Sequence, residues 1–208
     1  MITNTYTLKA ISDCQLLFSS FNADQSLFNG KTGIMLFFFH YARFTSNHYY
    51  EDFAEELLND VCMHLSIDLP ITFLDGICGI GWSIEYMKKQ GFVEGDTDEI
   101  LEEIDKKVME RDLRRISDTS FDYGLEGIVA YVRSRLDSQR TTLDKLPFDS
   151  DYLEDMKTAC CQAGIDWLNE YYTVSTVWNR IIDLFDKAPF AFDRGNWKKG
   201  LFLLETAA

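Results

Sequence analysis

The sequence predicts an all-α protein built from stacked helical hairpins, and three observations carry that expectation. Proline is rare, with Pro70, Pro147 and Pro189 the only three in 208 residues, so helical segments meet few obligatory breaks. Glycine is placed in a pattern. Gly30-Lys31-Thr32-Gly33-Ile34, Gly76-Ile77-Cys78-Gly79-Ile80 and Gly124-Leu125-Glu126-Gly127-Ile128 repeat a G-x-x-G-aliphatic unit at intervals of 46 and 48 residues, the spacing of stacked supersecondary repeats. The segments that follow the glycines are apolar and those between them amphipathic, as inner and outer helices of such an array require.

The repeat extends upstream of each glycine pair. Leu27, Phe73 and Phe121 stand three residues before the first glycine, and Asn29, Asp75 and Asp122 one or two before it. A degenerate fourth copy, Pro189-Phe190-Ala191-Phe192-Asp193-Arg194-Gly195, echoes Pro70-Ile71-Thr72-Phe73-Leu74-Asp75-Gly76 and runs on to Gly200-Leu201. Each copy reads as a loop entering a helix. Asn or Asp is expected to cap the helix start, and glycine to supply a positive φ or a close backbone approach.

In chain order the pattern predicts an opening helix over about 6–21, bearing Ile11, Cys14, Leu17 and Phe18. An inner helix over 33–44 follows. The outer segment 50–66 carries Phe53, Leu57, Leu58, Val61, Cys62 and Leu65 at helical spacing, with Glu51, Asp52, Glu55, Glu56 and Asp60 outward. A second inner helix is expected over 79–90. A second outer one, over 97–117, has Ile100, Leu101, Ile104, Val108 and Ile116 on one side and Glu102, Glu103, Asp105, Lys106, Lys107 and Glu110 on the other. The third inner helix is placed at 126–137, a loop at 138–150, and a long helical stretch at 151–187 divided near Tyr171-Tyr172-Thr173. The last inner helix spans 199–206. Hairpins stacked into an arc or ring fit this order, with parallel HEAT-type stacking as the rival.

Composition sets outer bounds. Hydrophobic residues at 46% and charged residues at 26% describe an ordinary globular chain, expected to form one domain over 1–208. A formal charge of −14 opposes both nucleic acid and anionic membrane surfaces. Met1-Ile2-Thr3-Asn4-Thr5-Tyr6 shows no basic stretch leading into an apolar one, so export is not expected. The most apolar window, 33–42, lies between Lys31 and Arg43 and falls short of the ~20 residues of a membrane span. Five cysteines, an odd number, suit a reducing cytoplasm.

The glycine loops Phe28-Asn29-Gly30-Lys31-Thr32-Gly33-Ile34, Leu74-Asp75-Gly76-Ile77-Cys78-Gly79-Ile80-Gly81 and Tyr123-Gly124-Leu125-Glu126-Gly127-Ile128 resemble those of lanthionine synthetase C-like (LanC-like) proteins, over roughly residues 27–204. The resemblance implies an α/α toroid, a ring of helical hairpins whose inner helices are entered through G-x-x-G-I loops. With about four inner helices against the family's seven, the implied ring is incomplete, open or closed by a partner or second copy. It also implies a catalytic zinc held by two cysteines and a histidine, one pair within a Cys-His-Gly loop. No Cys-His-Gly occurs here, and none of His40, His48 and His64 adjoins a cysteine, so the cyclase chemistry transfers to no residue and no metal or other cofactor is expected.

The remaining candidates are weighed by chemistry. If the glycine loops gather at one end of the inner helices, Asp75, Asp122, Glu126 and Asp193 would converge as acid–base carboxylates of the kind glycoside hydrolases use; capping is the plainer role for an Asp there. Cys78 sits at a helix start, where a thiolate is favoured, or is a small residue packed under a turn. Glu85 interrupts an apolar inner helix and would line a cavity or reach solvent. Trp82, Tyr123 and Trp197 would floor a binding surface or fill the core. Lys31, Arg194, Lys198 and Lys199 would attract an anionic ligand to helix starts, and Asn29 is a further binding candidate.

These features point, through the resemblance, to a cytoplasmic LanC-like protein without the zinc site. It would bind a peptide, or assist its modification in a peptide-maturation or natural-product pathway, with a partner protein or a homodimer completing the ring. The alternatives are a carboxylate-dependent glycoside hydrolase of α/α-barrel type and a non-catalytic dimerising scaffold. The sequence does not decide whether the chain is an enzyme.

Overall fold

The three glycine pairs each open a helix where the spacing requires. The computed structural model describes residues 2–138, 146–187 and 196–206, and among them there are nine α-helices and no strand: α1 Ile2–Phe18, α2 Lys31–Thr45, α3 His48–Met63, α4 Ile77–Lys89, α5 Thr97–Met109, α6 Leu125–Leu136, α7 Ser150–Ala163, α8 Val174–Lys187 and α9 Asn196–Glu205. The all-α expectation holds, and α2, α4, α6 and α9 are the four apolar inner helices. The fourth-copy motif around Asp193 and Arg194 and the loop residues 139–145 lie outside the described residues. No described helix is long and apolar enough to cross a membrane.

The loops do not work as the motif suggested. Gly30, Gly76 and Gly124 are themselves the N-cap residues of α2, α4 and α6, and no side chain caps these helices. The first helical N–H instead turns back on a carbonyl seven residues upstream: Lys31 to Asp24 at 2.8 Å, Ile77 to Pro70 at 3.0 Å and Leu125 to Asp118 at 2.9 Å. That return path presses the loop against the glycine. A Cβ at Gly76 would stand 2.7 Å from the Thr72 amide nitrogen and closer still to the Pro70 carbonyl; at Gly124 it would stand 2.7 Å from the Ser120 amide nitrogen. The φ angles, −133° at Gly76 and −118° at Gly124, are extended. Close approach, and not positive φ, is therefore what demands glycine. Within the loops Asp24 and Asp118 accept the N–H of Ser26 and Ser120, each at 2.8 Å, a side-chain turn that fixes the return.

The outer helices begin the other way. Asn47, Asp96 and Asp149 cap α3, α5 and α7 by accepting the N–H of Tyr49, Asp98 and Tyr152, each a conventional cap worth ~1 kcal/mol. Three expected boundaries shift. α5 stops at Met109, short of 117, because Asp112 accepts the Arg114 N–H and holds a 3-10 turn over Leu113–Arg115. The 151–187 stretch is already broken at Gly164, whose left-handed φ of 70° ends α7 while Ile165 N–H returns to the Cys160 carbonyl. The opening helix ends at Phe18 with a 3-10 turn over Ser19–Phe21.

The chain groups into two compact units, one of Met1–Leu65 with Trp178–Ala208 and one of Ser66–Val177. In the first, α2 packs on α3 and α9, and α1 on α9. Ile34 through Phe39 of α2 are essentially inaccessible, and glycines bring the helices together: the Trp197 ring lies on Gly33, and Phe37 and Ile11 lie on Gly200. In the second, α4 packs on α5 and α6, the Tyr131 ring lying on Gly81. Phe73, Trp82 and Phe121 fill its core, the Phe73 ring centred 4.4 Å from that of Phe121 and 5.7 Å from that of Trp82.

Candidate functional site

In the second unit the loops before α4 and α6 are stitched together. The N–H groups of Phe73 and Leu74 both donate to the Asp122 carbonyl, at 3.2 and 3.1 Å. This sets Asp75 beside Tyr123, where burial first, then the nearby carboxylates of Asp75 and Asp122, raise the phenol above its ordinary value. Asp75, Asp122 and Glu126 are half-buried and Tyr123 is exposed. The expectation that Asp75 and Asp122 cap their helices is corrected, because the glycines hold the cap positions. What is assembled is a small face of two aspartates and a phenol.

In the first unit the equivalent loop holds its side chains in place. Lys31 is not an open anion contact: its ammonium pairs with Asp60 of α3 at 2.5 Å. Asn29 accepts from the Lys198 ammonium at 3.3 Å, and the same ammonium sits 3.2 Å above the Phe28 ring. Lys199 pairs with Asp186 at 2.8 Å. Trp197 is fully buried, edge-on to Phe185 at 4.9 Å. It is core, as is Trp82, stacked 5.3 Å from Tyr86, so neither indole offers a ligand a stacking surface. Asp193 lies outside the described residues.

Cys78 is fully buried, and burial pushes its thiol far above the usual range. Of its two readings the small packed residue holds, and a thiolate at the helix start is not favoured, since desolvation outweighs the helix dipole here.

Glu85 belongs to a buried network whose other members the sequence did not single out. Its carboxylate accepts from Arg135 Nη1 at 2.5 Å and from the Ser138 hydroxyl at 2.8 Å. Arg135 also donates to Asp105 through Nε and Nη2, the shortest contact 2.7 Å, and to Asp98 at 2.9 Å. The Tyr131 hydroxyl donates to Asp105 at 2.5 Å. Glu85, Asp105, Tyr131 and Arg135 are all 3% exposed or less. Burial lifts the Asp105 carboxyl above the usual aspartate range against the bonds from Arg135 and Tyr131. Burial likewise opposes the Arg135 charge, but the bonds and charges of Asp105, with Tyr131 and Glu85, more than restore it. Asp105, expected on the outward side of α5, thus faces inward between Leu101 and Val108, while Ile100, expected inward, is exposed. The signal was available: Asp105 continues the Leu101, Ile104, Val108 stripe at helical spacing.

Members of the network line two cavities of the second unit: Glu85 the first, Asp105 and Arg135 the second. One, about 440 Å³, is lined by Glu85, Lys88, Lys89, Ser134, Asp137, Ser138 and Val174. The other, about 380 Å³, is lined by residues of α5 and its N-cap Asp96, with Arg135, Leu146 and Pro147.

A recorded family, described as lanthionine synthetase C-like protein, matches residues 22–175 of the chain. The chain belongs to the lanthionine synthetase C-like family. No curated protein and no solved structure matches it.

The zinc that the resemblance implies for a LanC-like protein was tested against the donors present. All five cysteines and three histidines fall within the described residues. Among those residues no group of three or more His, Cys, Asp or Glu side chains is placed to hold a metal ion. Cys78 and Cys160 are buried, while Cys62 and Cys161 are exposed. His40 pairs with Glu205 at 3.1 Å and stacks on Trp178, His48 pairs with Glu51, and His64 with Asp60. Among the described residues these donors are not gathered into a two-cysteine, one-histidine group.

Proposed function

We propose that this LanC-like protein works without the family's zinc, binding a peptide or assisting its modification in a peptide-maturation or natural-product pathway. The observation that carries the proposal is the engagement of every histidine by a carboxylate, with no three-donor group among the described residues, in a chain of this family. The loop face of Asp75, Asp122 and Tyr123 supports a binding role, since Tyr123 is 51% exposed and an exposed aromatic beside carboxylates suits a peptide. A partner protein, or a second copy of the chain, would associate in the same setting, and light scattering reads the latter directly.

The test is binding of a fluorescein-labelled peptide carrying a cysteine and a dehydroalanine, with thiol loss and bound metal measured in parallel. Saturable binding weakened by Tyr123→Ala, with neither thiol loss nor stoichiometric zinc, is expected. Stoichiometric zinc with thiol loss, or no binding, would overturn the proposal. The runner-up, a carboxylate-dependent hydrolase, draws on the proximity of Asp75 and Asp122 to one phenol. Release of nitrophenol from aryl glycosides, abolished by Asp75→Asn, would replace the first reading with it.

A further inference from the structure

We infer that the 440 Å³ cavity at the C-terminal ends of α4 and α6 is a binding site for a small zwitterion, an α-ammonium group with an adjacent carboxylate or carbonyl, as carried by a free amino acid or by a peptide end. The cavity lies at the opposite ends of these helices from the Asp75–Tyr123 loop face, so it stands apart from the peptide-binding proposal. Glu85 and the last-turn residues Lys88 and Lys89 come from α4, and Ser134, Asp137 and Ser138 from the end of α6.

Four observations specify the ligand. First, a carboxylate on the wall is 3% exposed yet keeps capacity to accept. Glu85 uses one oxygen for Arg135 and the other for the Ser138 hydroxyl, whereas a carboxylate offers about four lone-pair positions. An ammonium donating to it would do so where water is scarce and a charged hydrogen bond is strong. Second, the wall is held in place. Arg135 orients Glu85 from behind, Lys88 donates to the Thr97 hydroxyl at 3.3 Å, and Arg133 donates to Asp137 at 3.2 Å. Third, the lining balances two carboxylates against two ammonium groups. Phosphorylated or polyanionic ligands would be repelled by Glu85 and Asp137, and simple cations by Lys88 and Lys89, which leaves a ligand charged at both ends. Fourth, the C-termini of two helices converge there, and their partial negative charge favours a cation beside Glu85. Lys89, exposed at the rim, is placed to meet the carboxylate or carbonyl oxygen.

Isothermal titration calorimetry on the full 208-residue chain tests this with leucine, glycyl-leucine and N-acetyl-glycyl-leucine. Binding of leucine or of the dipeptide is expected, with the acetylated form at least about tenfold weaker because it lacks the ammonium. Leucine alone binding assigns the site to a free amino acid; glycyl-leucine alone assigns it to a peptide end. Glu85→Gln should cost about tenfold or more in affinity. Should that variant fold poorly, Lys89→Glu, at an exposed position, should weaken binding while leaving the melting temperature in place. No binding of either free-ammonium probe, equal binding of the acetylated dipeptide, or affinity unchanged in both variants would overturn the inference. Those results would leave the fluorescein-peptide experiment at Tyr123 unaffected.

Discussion

Replacing Arg135 with Met probes the buried network most directly. Arg135 is 1% exposed and is the shared donor to Asp105, Glu85 and Asp98. Methionine fills much of the same volume but donates nothing, so Asp105 and Glu85 are left buried with their charge uncompensated. Breaking a buried pair from one side costs about 3–5 kcal/mol. For a chain of this length that is a fall in Tm of about 6–20 °C, read by circular dichroism melting or urea unfolding at pH 7.5. The loss should depend on pH with a definite sign. The folded pKa of Asp105 is already raised by burial, and without Arg135 it rises further. The folded variant therefore holds its proton more tightly than the unfolded chain does, and stability falls as pH rises from about 4, the unfolded value, through the folded one. The deficit should be smaller at pH 4.5 than at pH 7.5, and Asp105→Asn added to Arg135→Met should recover part of it. A variant within about 0.5 kcal/mol of the parent, or a deficit that grows on acidification, would refute the account of Arg135 as the counter-charge.

Three further outcomes follow from the geometry. Gly76→Ala should cost about 2–4 kcal/mol through collision with the Pro70–Thr72 loop and loss of the Ile77 to Pro70 bond, whereas Gly91→Ala, with φ +66° and open space around it, should cost only about 1 kcal/mol; equal losses in urea unfolding would remove the close-approach explanation. In the first unit the Lys31 bond holds the Asp60 carboxyl below the usual range. The stabilisation from this pair is thus complete above about pH 4 and lost as pH falls through the depressed value, so Lys31→Met should flatten the acid limb of stability, and an unchanged limb would count against the pair. Under native conditions Ellman's reagent should modify Cys161 while sparing Cys78, which is fully buried with its thiol pushed far up; rapid native labelling of Cys78, located by mass spectrometry, would contradict that burial.

The helices were legible because their starts are determined by local sterics. A loop that doubles back on a helix N-terminus leaves no room for a Cβ, so the requirement appears in the chain as Gly30, Gly76 and Gly124 at near-constant spacing. The early end of α5 was missed because an Asp112 turn competes with the helix without interrupting its apolar pattern. The buried network was illegible for a different reason. Arg135 meets partners 30, 37 and 50 residues away, and by itself looks like an ordinary basic residue of a last helical turn. Only Glu85, alone on an apolar helix, signalled it, and Asp105 was taken for one more outward charge of α5. Trp82 and Trp197 were left open between binding floor and core and prove to be core, since proximity to a loop in sequence does not say which side of the helix a ring occupies.

The contrast between the two ways of starting a helix bears on where function resides. In α3, α5 and α7 the residue before the helix is bound to its own helix by a side-chain cap, and changing it costs stability. In α2, α4 and α6 the glycine and the returned carbonyl do that work, so the residue ahead of the glycine has no structural duty toward its helix. Those residues are Asn29 in the first unit and Asp75 and Tyr123 in the second: Asn29 accepts from Lys198, and Asp75 and Tyr123 lie beside one another. Their identities are therefore not set by a side-chain cap. Exchanging Asp75 for Asn should leave the onset of α4 unchanged in hydrogen exchange while altering peptide binding, whereas exchanging Asp96 for Ala should fray α5 and leave binding intact. If Asp75→Asn instead destabilised the start of α4, the loop face would be scaffold, and the peptide site would have to be sought elsewhere.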